Sequence, residues 1–313
     1  MAGAAAVTAP VFAPWQQRAY EQAEAALDSG RMGHALLICG PAQLGKRALA
    51  DRLAHHALGA DRDTRAAQLL AAGTHPDFHA IGLEFNKEGT RLRTEIVIEQ
   101  IRDLSAKLAL TPQYGGAQIA IVDPADAINH AACNALLKTL EEPHPGRYLW
   151  LISADPARLP ATIRSRCQRL ELRLPPREEA LAWLHAQGHA DKAAIEALDA
   201  ARGHPGLADA WLRDGGMALR REVAGDLAKL AKGDLAVVET AQRWTADEDA
   251  ALRLRHAADL ALAEAGGLTD PVRMRKLAAW FDAANRTRDL LRTTVRADLA
   301  VVELLLAWAR GRA

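Results

Sequence analysis

The sequence has few cysteines and no excess of charge of either sign. Its three cysteines, Cys39, Cys133 and Cys167, are too far apart and too few for a disulfide framework or a C-x-x-C metal pair. We therefore expect the chain to work in the reducing cytoplasm. Lys and Arg together number 39, and so do Asp and Glu, which disfavours a chain that wraps nucleic acid through its own basic surface.

Long apolar runs are also missing, since none approaches the roughly 20 residues that cross a bilayer. Residues 1–10 are small and mostly apolar but lack the positive region of a signal peptide, so we expect a frayed amino terminus there. Half of the residues are apolar and a quarter are charged, a composition typical of a soluble globular protein. The length of 313 residues predicts two or three domains.

The first half of the chain alternates short apolar runs with helical periodicities, which predicts an α/β domain with a largely parallel sheet. A proline pair then follows, and beyond it the apolar residues recur only at helical spacing. We expect an α/β domain at 1–174, a small helical domain at 175–213 and a larger helical domain at 214–313. The predicted strands are 34–39, 77–83, 117–123, 148–153 and 170–174, and the main predicted helices of the first domain are 47–58, 96–110 and 129–142.

A possible phosphate loop follows the first predicted strand. Gly40, Gly45 and Lys46 match the ATP-binding pattern G-x-x-x-x-G-K-[ST], in which loop amides and the lysine hold phosphates. Arg47 stands where a serine or threonine would bind Mg²⁺, and its charge repels a cation. The loop alone is equally compatible with a strand–turn–helix corner that binds nothing.

A second candidate lies about 80 residues further on, where the apolar strand at 117–123 ends in Asp123. In nucleotide hydrolases an aspartate at this place orients Mg²⁺, and the following glutamate activates water. Here the following residue is Pro124, which has no acid–base chemistry. The same residues also suit a buried strand that ends in an aspartate at a turn.

A third candidate is a basic turn that contains Arg164, Arg166 and Arg169. One of these could act as an arginine finger, a guanidinium that stabilises charge on the γ-phosphate in a neighbour's site. From the residues alone, a solvated basic turn is the simpler interpretation.

Taken together, these segments resemble the delta-prime subunits of bacterial DNA polymerase III clamp loaders, a family of the AAA+ clade. The resemblance covers residues 33–208, and the C-terminal helices are similar more loosely. The segments that carry it are "GHALLICGPAQLGK", "AGTHPDF", "IVIEQIRDL", "IVDPADAINHAACNALLKTLEEP", "LISADPARLPATIRSRC" and "GHPGLA".

The resemblance implies a RecA-like AAA+ P-loop domain with a degenerate nucleotide site, a helical lid and an all-α collar that serves in oligomerisation. It also implies roles for single residues. Arg166, between Ser165 and Cys167 of the Ser-Arg-Cys motif, becomes the finger that acts in trans, and Ser153 takes the polar sensor position. The arginine of a second sensor would fall at Gly206 and is missing.

The function implied is that of a non-hydrolysing subunit of the polymerase holoenzyme that helps to load the sliding clamp on primed DNA. Its partners would be motor subunits of the gamma/tau type, a delta subunit, primer–template DNA within the complex and, indirectly, the clamp. The chain itself would need no cofactor, because ATP belongs to the neighbour, although Gly40, Gly45, Lys46, Arg47 and Asp123 leave room for weak phosphate binding. Many relatives carry a zinc module before "AGTHPDF"; this segment has no cysteine, so we expect no zinc.

Two other classes compete with this interpretation. An active AAA+ clamp-loader motor would need the metal ligand and the base that Arg47 and Pro124 replace. A nucleic-acid-binding module that acts alone would need a basic stripe interleaved with aromatic residues, and this balanced sequence lacks one.

Overall fold

The computed structural model describes residues 12–86, 88–114, 116–291, 293 and 295–311. The frayed terminus expected at residues 1–10 lies outside the described residues. The chain divides into two compact units, Met1–Trp183 and Leu184–Ala313. Among the described helices, none is long and apolar enough to cross a membrane.

The first unit contains a parallel sheet with the strand order β2-β3-β4-β1-β5, which confirms the predicted fold class. Continuous apolar runs form its central strands because helices cover both faces, so that every residue of β1 and β3 is buried. The strands of the described part are β1 (Ala35–Cys39), β2 (Phe78–Ile81), β3 (Gln118–Val122), β4 (Arg147–Ser153) and β5 (Gln168–Glu171).

Alternate residues of β1 enter different cores. Leu36 and Ile38 pack in a core with α1 and α2, whereas Leu37 and Cys39 pack in a second core with α4 and α5. The period of two along a strand produces this division. The helices of this unit are α1 (Pro14–Asp28), α2 (Lys46–Ala57), α3 (Thr64–Ala71), α4 (Ile98–Leu108), α5 (His130–Glu141), α6 (Ala161–Arg164) and α7 (Arg177–Ala186), the last of which continues past the division between the units.

Two local features differ from the sequence interpretation. The last strand is Gln168–Glu171 rather than 170–174. The pairing with β1 ends with Leu172, whose amide donates to the carbonyl of Cys39 at 2.8 Å, while Leu174 is exposed. The sequence interpretation also omitted α1, which begins with Pro14 in its first turn, a position that tolerates the missing amide hydrogen.

The second unit is helical in its described part, as expected from the sequence. Its core gathers three tryptophans, and Trp308 of α14 donates its indole N–H to the carbonyl of Leu227 at 2.9 Å. The predicted lid–collar boundary after Arg213 falls at the end of α9 and stays a prediction. The helices are α8 (Asp191–Ala200), α9 (Pro205–Arg213), α10 (Gly216–Lys232), α11 (Val237–Trp244), α12 (Ala250–Gly266), α13 (Pro271–Leu290) and α14 (Ala297–Arg310).

Candidate functional site: a degenerate phosphate loop and an arginine corner

The loop between β1 and α2 has the backbone shape that its glycines allow. Gly40 has φ of 136° and Gly45 has φ of 81°, both in the region that side chains with a Cβ rarely adopt. A Cβ on Gly40 would overlap the carbonyl oxygen of Leu172, and one on Gly45 would overlap the amide of Gln16. The fold therefore requires both glycines whether or not the loop binds phosphate.

The loop lysine is bonded to the loop itself. Lys46 is 7% exposed, and its ammonium donates to the carbonyl oxygens of Gly40 and Pro41, each at 2.7 Å. Burial lowers the pKa of Lys46, while the nearby carboxylates of Asp123 and Asp126 oppose that shift. The ammonium thus stabilises the turn by hydrogen bonds to two of its own carbonyl groups.

Arg47 supplies a positive charge to the aspartate that would orient a metal ion. Its Nε donates to both carboxylate oxygens of Asp51, at 2.9 and 3.0 Å, and its Nη1 lies 3.6 Å from Oδ2 of Asp123. Burial raises the pKa of Asp123, and the charges of Arg47 and Lys46 oppose that rise. The chain therefore provides the countercharge at Asp123 with its own guanidinium, where an active site would use Mg²⁺.

The amino-terminal helix adds a further contact to the loop. The indole of Trp15 and the side-chain amide of Gln16 both donate to the carbonyl of Leu44, at 3.2 and 3.0 Å. Sequence reasoning missed both residues. The available signal was Gln16 at the third position of a helix that starts with Pro14, where its oxygen accepts the amide of Ala13.

The polar residue at the end of β4 lies beside the loop. Strand register pairs Ser153 with Cys39, the residue before Gly40. Ser153 is fully buried, and its hydroxyl has no hydrogen-bond partner within the described residues. Asp126, which sequence reasoning also missed, accepts the amide of Ala154 at 3.1 Å and so fixes the turn after β4.

Arg166 follows the short helix α6 and is held by two contacts. Its Nη1 donates to the carbonyl of Thr162 at 2.9 Å, and its Nη2 lies 2.7 Å from Oε1 of Glu141. The side chain remains 38% exposed. Ser165 donates its hydroxyl to the same carbonyl at 3.2 Å, and burial raises the pKa of Cys167 to about 11, so that its thiol stays protonated at neutral pH. The motif neighbours thus shape the turn that presents Arg166.

The other two arginines have different surroundings. The Nε of Arg169 lies 3.1 Å from the sulfur of Cys39, and its Nη2 lies 3.4 Å from Glu171. Arg164 ends α6 and is exposed, and we find no ion pair for it in the described part of the chain. Arg166 and Arg169 are thus both anchored and exposed, and the family motif, rather than the geometry, distinguishes Arg166.

The loop and Arg166 lie at opposite ends of the sheet. The loop follows the carboxyl end of β1, whereas Arg166 precedes β5, whose first residue, Gln168, pairs near the amino end of β1. Because β1 and β5 are parallel, the four residues from Leu36, the partner of Gln168, to Gly40 separate the two sites, about 13 Å at the usual rise per residue. Arg166 therefore cannot complete the loop of its own chain.

Two further expectations concern groups outside this site. Gly206 lies in the first turn of α9 and has no side chain with which to act as a sensor. In the segment where relatives carry zinc, α3 forms, and Arg52 and His56 both bond to Asp61, at 2.9 and 3.1 Å. Within the described ranges, no group of three or more His, Cys, Asp or Glu side chains could hold a metal ion. The absence of zinc remains a prediction.

Comparisons with known proteins identify the family. A family model described as "DNA polymerase III, delta subunit" matches residues 15–176. The chain is similar to DNA polymerase III subunit delta' of Pseudomonas aeruginosa, at 38% identity over 73% of this chain and 70% of that protein. It is similar to the subunit of the same name of Escherichia coli, at 34% identity over 62% of this chain and 59% of that protein.

One solved structure supports the fold. The crystal structure of a DNA polymerase III gamma subunit-related protein from Thermotoga maritima aligns with a TM-score of 0.53 and 18% identity. The alignment covers 94% of this chain and 99% of that one. At this level of identity the likeness concerns the fold alone, and it agrees with an α/β domain followed by helices.

Proposed function

This chain belongs to the DNA polymerase III delta' family, and we propose that it is a subunit of a clamp loader that does not itself hydrolyse ATP. The ion pair between Arg47 and Asp123 carries this proposal. It places a fixed cation beside the carboxylate that would otherwise help to bind Mg²⁺, and a divalent ion would meet its repulsion. Pro124 leaves no base to activate water.

The second part of the proposal concerns Arg166, which would act on a neighbouring subunit. A guanidinium placed beside a γ-phosphate stabilises the charge that develops during phosphoryl transfer. The partial exposure of Arg166 and its separation from the loop of its own chain support action in trans. The carboxylate of Glu141 would hold the side chain until the neighbour's phosphate competes for it.

The assembly follows from this role. A finger in trans requires an adjacent chain that binds ATP, so we propose a motor subunit of the gamma/tau type as the neighbour, with a delta subunit in the same complex. Primer–template DNA would be met within the complex, since this chain has no net charge of its own. We propose the cytoplasm as the location and no cofactor for this chain.

The test is the hydrolysis of ATP by the reconstituted complex in the presence of primed DNA. Arg166→Ala should lower turnover at the site that receives the finger by about 10³-fold or more, because the developing charge loses its guanidinium. Arg164→Ala, two residues away, is the matched control and should leave turnover unchanged. Both variants should still assemble, as measured by size-exclusion chromatography.

Two outcomes would contradict the assignment. Unchanged turnover in an assembled Arg166→Ala complex would remove the finger from this residue. A large loss in Arg164→Ala or Arg169→Ala, with Arg166→Ala unaffected, would move the role to another arginine of the same turn.

A further inference from the structure

The helical unit contains a cleft of about 590 Å³ that the site described above does not involve. It lies among the turn after α8 and the helices α12 and α13. Each of the three contributes an arginine, namely Arg202, Arg255 and Arg288. Three guanidinium groups from separate elements thus converge on one concave surface.

Two of these arginines are supported by aromatic rings. The guanidinium carbon of Arg202 lies 5.6 Å from the ring centre of Phe281, and that of Arg255 lies 5.3 Å from the ring centre of Trp211. Such stacking restricts the orientation of the planar groups. The donors of the cleft are therefore ordered in advance of any ligand.

The carboxylates of the cleft do not balance this charge. Asp259 serves two arginines, with Oδ1 at 2.5 Å from Nη2 of Arg202 and Oδ2 at 4.0 Å from Nε of Arg255. Arg288 is half-buried, and no ion pair involves it in the part of the chain that the structure describes. The second acidic residue of the lining, Asp289, is exposed.

A fourth arginine, Arg220, lies outside the lining of the cleft but within the electrostatic reach of Arg202, Asp259 and Glu196. Arg220 is half-buried, and its Nη1 is shielded from solvent and has no hydrogen-bond partner among the described residues. Burial lowers the pKa of Arg220, opposed by the charge of Asp259 and reinforced by that of Arg202. Burial likewise lowers the pKa of the adjacent His256 to about 4, with help from Arg220 and Arg255, so this ring is neutral at pH 7.

We propose that this cleft binds a phosphate group. Three guanidinium groups line the cleft with two carboxylates, which leaves one positive charge for an anion such as a phosphate monoester, which carries about −1.5 to −2 near neutral pH. The planar donors of arginine match phosphate oxygens in pairs. The volume lies within the range of small-molecule sites, so a phosphate ester fits as well as the free ion. This inference does not depend on the role of Arg166.

The experiment is isothermal titration of the full chain with inorganic phosphate at constant ionic strength. We expect binding in the millimolar range or tighter, weakened about tenfold in Arg288→Gln by the loss of one charged hydrogen bond. Arg273→Gln is the matched control, because Arg273 lies on the same helix α13 but already pairs with Glu264 at 2.9 Å. That variant should bind like the unaltered chain.

A short DNA duplex, titrated in the same way and in competition with phosphate, identifies the source of the group. If the chain binds both phosphate and the duplex, and Arg288→Gln weakens both, the cleft binds the nucleic-acid backbone. If the chain binds phosphate alone, the cleft binds small phosphate esters. Lack of binding to both, or an equal loss in Arg288→Gln and Arg273→Gln, overturns the proposal. So does capture of an acidic peptide without phosphate binding. Arg202→Gln, with circular dichroism as a check of folding, replaces Arg288→Gln if that variant does not fold.

Discussion

The phosphate loop and the arginine cleft both gather cations, but they differ in how those cations are neutralised. At the loop, Lys46 donates to two backbone carbonyls and Arg47 contacts two aspartates, so both cations have partners within the chain. In the cleft, Asp259 serves two arginines, and Arg288 has no ion pair among the described residues. The sequence motif thus marks the loop, whose cations are paired within the chain. The cleft, where one arginine has no ion pair among the described residues, has no sequence motif.

The largest effect that we expect tests whether the glycines of the loop are needed for folding even without a bound phosphate. Gly40→Ala should lower the free energy of unfolding by about 4 kcal/mol, because backbone strain and overlap with the carbonyl of Leu172 add together. Denaturant unfolding measures this change. Gly188→Ala is the control, since Gly188 also has positive φ, 91°, but no atom near its Cβ position, and should cost about 1 kcal/mol. Equal losses would show that the close approach at the loop contributes nothing.

A somewhat smaller effect tests the burial of His256, whose pKa the nearby charges of Arg220 and Arg255 lower further. The pKa of His256 is about 4 in the folded chain against an ordinary 6.5, so only the unfolded chain takes up a proton between these values. Its contribution to stability is complete above pH 6.5 and is lost as the pH falls to about 4, about 3 kcal/mol in total. Denaturant unfolding across this pH range should show the slope.

Two histidine variants test the source of this slope, one at a buried histidine and one at an exposed histidine. His256→Phe keeps a ring beside Trp211 and should remove most of the slope that His256 contributes. His185→Gln, at a histidine with a 41% exposed side chain, is the control variant. An unchanged slope in His256→Phe would mean that His256 does not have the lowered pKa on which this prediction rests.

The smallest effect concerns the loop cation. Arg47→Ser should lower the free energy of unfolding by less than about 1 kcal/mol, because the guanidinium is 44% exposed and its pairs are screened by solvent. The serine hydroxyl and the released Asp123 should raise the affinity for Mg²⁺-nucleotide, measured by fluorescence of a labelled nucleotide. Arg62→Ser, an exposed change beyond α2, serves as the control.

Turnover of ATP should stay absent in the unaltered chain and in Arg47→Ser, because Pro124 supplies no base in either. Hydrolysis by the unaltered chain at the rate of a motor enzyme would contradict the proposed function. Hydrolysis that appears only in Arg47→Ser would mean that the cation alone blocks the site.

Much of the α/β unit could be predicted because its signals are local. The apolar runs that became β1, β3 and β4 are contiguous, and the loop glycines are adjacent to the first of them. The order of the segments along the chain carried the family resemblance, which the comparisons confirm. The end of β5 was wrong because the apolar alternation continues to Leu174, which is exposed, whereas the bonding to β1 ends with Leu172.

What the sequence determined by itself is most of the elements of the α/β unit and the presence of Arg47 and Pro124 where the hydrolase patterns have other residues. Only the tertiary structure decided where the charges go. Arg47 meets Asp123 across 76 positions of chain, and Arg202, Arg255 and Arg288 converge from three elements. Coulomb energy depends on the distance between charges in space, and the separation of two residues along the chain does not give that distance in the folded protein.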